Sequence, residues 1–238
     1  MIELKLTGAT NKQALYLIIN TWKFYQFNDP CEYGMYLPDF FRDDVGVIVE
    51  EKPFKTRGLR GAAFPARFHS NDKDIIMLNS HRNVLEKNFD CGHEVVHIVF
   101  HWKENKKPFH CYDETVRANQ NTFVEWQANE GSAEILVPHQ VFIPIICERY
   151  DELKRMMPQD MDTEFYPEMV KMFKVPKSVI RIRLNSLQYE IAQALNGKPM
   201  SHLDYLSKKE IEKKGIRVNS LLDVQNDNYD RFMARCYV

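Results

Sequence analysis

Cysteine is sparse and unpatterned in this sequence: Cys31, Cys91, Cys111, Cys147 and Cys236 make five in 238 residues, an odd number, never spaced C-x-x-C. That excludes a disulfide framework and a cysteine-rich zinc knuckle, and it fits a reducing compartment. An excess of one charge sign is missing too. With 32 Lys and Arg against 33 Asp and Glu, the net charge of −1 provides no overall field toward DNA or anionic lipid. Long apolar runs are also lacking, since residues 141–147 (VFIPIIC) fall far short of the roughly 20 residues that a bilayer span needs. The opening MIELKLTGATNKQ is too polar for a secretory signal, so the sequence predicts a soluble cytoplasmic protein with no membrane partner. No repeat or low-complexity tract interrupts it.

What is present is 44% apolar residues in a chain long enough to bury a core without staples, so any metal would be there for chemistry rather than for folding. Ala14, Leu15, Ile18, Ile19 and Trp22 recur at helical spacing behind Thr10 and Asn11, predicting a first helix over 11–25. Three short β-rich runs follow, at 45–49, 59–64 and 75–78. From Ser80 a helical beat continues to a polar run at 103–107 and Pro108, and a second strong helix spans 122–136. Further helices are expected near 150–157, 167–173 and 178–194, with 156–162 as a loop. Strands early and helices late predict an α+β architecture with a small sheet of about three strands packed on a helix. Three regions are expected: a main domain over 1–150, a helical subdomain over 151–198, and a tail over 199–238 of open role. Within that tail, 208–214 reads as an exposed mixed-charge helix.

Residues 93–97 read His93-Glu94-Val95-Val96-His97, a match to H-E-x-x-H. On a helix, residues i and i+4 lie about 40° apart, so both imidazoles reach one ion, while Glu94, rotated by about 100°, lies beside it. Zinc needs a third protein ligand and an open position for water, whose proton a carboxylate placed like Glu94 can accept. No further His-x-x-Gly-x-x-His follows, which argues for a carboxylate from a later helix. The 122–136 helix offers Glu125, Glu130 and Glu134. Glu125 is the favoured ligand because Ala128 permits close helix approach and Asn129 lies one turn on, able to bond a ligand; Glu130 and Glu134 fall to solvent or a supporting role. His101 drifts too far round for the same ion and reads as a supporting or helix-end histidine, and Cys91 as a small core residue. His110, Tyr112, His139 and Tyr166 stand as candidates for an oxyanion donor.

H-E-V-V-H-I-V-F-H at 93–101 followed by E-W-Q-A-N-E-G-S-A-E-I-L-V-P at 125–138 resembles the ImmA/IrrE family of zinc metallopeptidases, whose pattern is H-E-L-G-H-x-x-x-H and then E-x-x-A-N-x-F-A-x-x-L-L-x-P. The likeness is best over roughly 40–145. It implies a zincin-like fold, with His93, His97 and Glu125 as ligands of Zn2+ and Glu94 as the catalytic glutamate. Two departures stand out: Val96 where the family usually has Gly, and Gly131-Ser132 where it usually has Phe-Ala. The resemblance also implies regulatory proteolysis of helix-turn-helix transcriptional repressors, often of phages, mobile elements or stress responses. A separate repressor would then be the protein substrate and partner.

Residues 172–185 (MFKVPKSVIRIRLN) look like the second half of a helix-turn-helix, with Val179, Ile182 and Leu187 inward. Between Lys171 and Arg217 there are eleven Lys and Arg against four Asp and Glu. That excess reads as the solvated face of a packing module rather than a base-reading surface. The competing expectation is a non-catalytic DNA- or protein-binding regulator with a structural metal site.

Overall fold

The computed structural model describes residues 9–66, 72–101, 109–112 and 122–236. Asn11 caps the first helix, α1 (Lys12–Phe27), its side chain accepting from the Ala14 N–H at 2.9 Å. Leu15, Tyr16, Ile19 and Trp22 then come round to the buried face. A short α2 (Leu37–Phe40) runs into a π-turn over Phe41–Val45, which Gly46 ends in the left-handed region at φ 76°. That turn claims Val45, so the first strand starts three residues later than its β-rich run suggests.

The strands are β1 (Ile48–Lys52), β2 (Leu59–Phe64), β3 (Ile75–Asn79) and β4 (Phe109–Tyr112), in the order β1-β3-β2-β4. β1 and β3 are parallel, and β2 is antiparallel to both its neighbours. The sheet thus has four strands rather than about three. Four residues are too few for a period-two signal, and β4 forms because β2 offers it a partner.

Helix α3 (Val84–Val96) begins at a capping box in which Asn83 and Glu86 satisfy each other's backbone N–H groups at 3.0 Å. It packs on the sheet and against α4 (Thr122–Leu136). Past Val96 the helix widens into a π-turn, His97–His101; the polar 103–107 run and Pro108 lie outside the described residues. The remaining helices are α5 (His139–Glu148), α6 (Tyr150–Leu153), α7 (Pro158–Asp160), α8 (Tyr166–Phe173), α9 (Lys177–Ser186), α10 (Gln188–Leu195), α11 (Lys208–Lys213) and α12 (Leu221–Cys236). The segment expected as a loop over 156–162 is largely helical, since Pro158 starts α7 and a π-turn over Met161–Phe165 continues it.

One apolar core reaches from Ala9 to Leu221 and includes Phe173, Ile180, Leu184 and Leu203 from the later helices. The inward face of α9 differs from expectation at one position. Val179 and Leu187 are buried, but Ile182 is 65% exposed and Arg183 is fully enclosed. A charged residue can face inward there because every arm of its guanidinium finds a partner. Among the described residues no helix is long and apolar enough to cross a membrane.

Candidate metal centre

Helix α3 presents His93 and His97 one turn apart, and α4 brings Glu125 to the same point. Their Nε2 atoms lie 3.0 Å from each other, and Glu125 oxygens stand 3.3 Å from His93 Nε2 and 3.7 Å from His97 Nε2. The three ligand atoms fall within 4.8 Å of one another; both imidazoles are buried and Glu125 is half-buried at the rim.

The outer hydrogen bonds decide which ring nitrogens carry protons. Gln127 Nε2 donates to the Ala9 carbonyl at 3.1 Å, which turns its Oε1 toward His101 Nε2, also at 3.1 Å. His101 therefore donates from Nε2 and accepts at Nδ1, where His97 Nδ1 lies 2.9 Å away. His97 must be the donor of that bond, which leaves a lone pair on Nε2. Asn129 does the same for His93, with Oδ1 3.1 Å from Nδ1. Burial, reinforced by the neighbouring His93 and His101, holds the His97 imidazole well below its ordinary pKa, so the ring is neutral. Two ring nitrogens and a carboxylate thus converge, an arrangement that a cation completes.

Glu94 lies fully buried beside this point, and neither carboxylate oxygen has a hydrogen-bond partner. Burial raises its pKa well above the usual carboxylate range; Glu125 and Asp90 add to the rise, and Arg60 acts against it. A buried, unpartnered carboxylate next to a convergent N, N, O donor set fits an ion whose water that carboxylate would contact.

A family model described as Peptidase_M78, IrrE N-terminal-like domain, matches residues 42–185, more than half of the chain. The chain belongs to this family of metallopeptidases. A comparison with curated proteins finds no match.

The chain's two departures from the usual family pattern meet each other. A Cβ added at Gly131 would lie 3.1 Å from Val96 Cγ2, so the valine occupies the space that the smaller residue on α4 leaves. Likewise Ser132 fits above Gly92, its Oγ donating to the Phe89 carbonyl at 3.0 Å. The close α3–α4 approach that delivers Glu125 is kept.

Glu130 and Glu134 are neither solvated nor at the donor set: both ion-pair with Arg183, and Glu134 also accepts from His139 at 2.7 Å. His139 is thereby engaged away from the donor set, and Tyr166 is buried on α8. His110 and Tyr112 lie on β4, whose Phe109 stacks on His97 at 4.4 Å between ring centres. Sequence reasoning missed Gln127, Asp90, Arg60 and Gly61. Asp90 sits fully buried one turn before Glu94, ion-paired with Arg82 at 2.6 Å and Arg60 at 3.6 Å. Gly61 on β2 leaves the room Glu94 needs, because a Cβ there would approach Glu94 Oε1 to 2.8 Å. The one signal for Gly61 was a lone glycine within a strand pattern.

Proposed function

We propose that this protein is a cytoplasmic zinc-dependent endopeptidase that cleaves helix-turn-helix transcriptional repressors. The observation that carries the peptidase reading is the convergence of His93 Nε2, His97 Nε2 and the Glu125 carboxylate beside an unpartnered, buried Glu94. The repressor substrate and the cytoplasmic setting rest on the resemblance and on the composition of the chain.

His93, His97 and Glu125 would hold the ion, and Asn129 and His101 fix the orientation of the two rings. When bound, zinc supplies a Lewis acid that polarises the scissile carbonyl and lowers the pKa of water to about 7. Glu94 accepts the proton of the attacking water and delivers it to the departing amide nitrogen; its two oxygens, buried beside the donor set and engaged by no other group among the described residues, are free to carry a proton between the two. Phe109, stacked on His97, covers that side of the donor set.

The test is Glu94→Gln. This variant is expected to keep equimolar zinc and lose repressor cleavage, while chelation abolishes cleavage by the unmodified protein. Normal cleavage by Glu94→Gln would remove the mechanism, and intact repressors after incubation with the unmodified, zinc-loaded protein would remove the substrate class.

A further inference from the structure

A second set of donors surrounds Glu94. In the β2–β4 register Gly61 pairs with Cys111, so the thiol stands across the gap left by the missing side chain, on the face that meets α3. One ligand atom each from His93, Glu94 and Cys111 lies within 4.8 Å of the others, and all three residues are buried. The thiol alone would indicate nothing. The independent observation is the Glu94 carboxylate, fully enclosed, with both oxygens lacking a hydrogen-bond partner.

We propose that His93, Glu94 and Cys111 form an inhibitory site for a thiophilic dication, such as Cd2+ or zinc in excess, that competes with the catalytic set for His93. The two donor sets differ in softness. His93, His97 and Glu125 offer nitrogen and oxygen only, whereas the second set adds sulfur, which selects soft ions. They share a single atom of His93, because Asn129 engages Nδ1 and leaves Nε2. A dication on a thiolate and a carboxylate makes a neutral cluster, which suits the enclosure. Binding replaces the proton of the Cys111 thiol and releases it to water. Arg60 already donates to the sulfur, its Nε at 3.1 Å, so the ion and the guanidinium compete for the same lone pairs.

Occupancy would take Glu94 out of proton transfer, and this inhibitory consequence rests on the peptidase reading. Cation binding itself does not. The experiment titrates chelator-stripped full-length protein with Cd2+ and follows the ultraviolet sulfur-to-cadmium charge-transfer absorption without substrate. The unmodified protein and Glu125→Ala are expected to develop the band with the first equivalent. Cys111→Ser, with its fold checked by circular dichroism, should lose that band and bind Cd2+ more than about 100-fold more weakly, beyond the range typical of losing an outer partner. Arg60→Met should bind more tightly than the unmodified protein. Cadmium-113 NMR of the unmodified protein gives a check independent of any variant, with a shift typical of mixed N, O and S ligation. A band that persists in Cys111→Ser, or a shift without sulfur, would overturn the proposal. Because the band is read without cleavage, its presence in a protein that cuts nothing would leave this site standing and sink only the peptidase reading.

Discussion

Gly61 shows how closely single atoms set this site. Alanine there would press a methyl group against the far end of the Glu94 side chain, with Oε1 at 2.8 Å and Cγ at 3.2 Å, and the flexible carboxylate would give way. Gly61→Ala is therefore expected to cut cleavage on the order of 10²-fold through misplacement of the base. Its unfolding midpoint should change little, since a strand glycine otherwise costs stability relative to alanine. Loss of fold with loss of activity would show that Gly61 serves packing instead. Gln127→Leu breaks the chain of bonds that fixes His101 and hence the His97 tautomer, and should weaken zinc binding about 10–100-fold, read by competition with a chromogenic chelator. Unchanged affinity would mean that the His97 ring is held by Phe109 alone. At this scale His93, Glu94 and His97 were legible in the sequence as a candidate set because all three share five residues of one helix. Gln127 and Gly61 were hidden, because each acts only once α4 and β2 have been laid against α3.

Among the elements, α9 is tied to α4 by a buried ion-pair cluster. Arg183 Nε donates to the Val137 carbonyl at 3.0 Å, Nη1 to Glu130 at 2.9 Å, and Nη2 pairs with Glu134, all of them on or just after the helix that carries Glu125. Tyr16 of α1 completes the cluster, its hydroxyl accepting from Arg183 and donating to Glu130. Arg183→Met strands the buried Glu134 and the half-buried Glu130 and should cost about 3–5 kcal/mol, lowering the thermal midpoint on the order of 10 °C. Adding Glu130→Gln and Glu134→Gln should restore part of that loss, and a full-sized loss in the triple variant would contradict the ion-pair account. The helical beat around 178–194 was legible, but the inward face was not. Apolar spacing counts Ile182 as core and Arg183 as surface, and only the partners on α4 reverse that assignment. The π-turns at Phe41–Val45 and His97–His101 leave no mark in apolar periodicity either.

For the whole molecule, the same cluster sets a dependence on pH. Burial by itself would raise the Glu134 carboxyl, but His139 and Arg183 outweigh it and hold the group at about 2, below its ordinary 4.5. A depressed carboxylate stabilises the fold fully above its unfolded value and loses that contribution as pH falls through the folded one, here between about 4.5 and 2. The contribution is at most about 3 kcal/mol. The thermal midpoint of the unmodified protein should accordingly fall more steeply below pH 4.5 than that of Glu134→Gln, and parallel curves would contradict it.

The α+β class, the order of strands before helices and the two-motif signature were all legible along the chain, because each repeats a pattern over several turns. The approach of β2 and β4 to Glu94 left no mark along the chain, whereas the closure that brings Glu125 from a later helix to the two imidazoles was legible through the second motif. Zinc-edge anomalous diffraction from crystals grown with equimolar zinc tests that closure most directly. A single peak bonded to His93 Nε2, His97 Nε2 and a Glu125 oxygen, with Glu94 uncoordinated beside it, is the predicted result. A peak elsewhere, or none at those three side chains, would contradict the account.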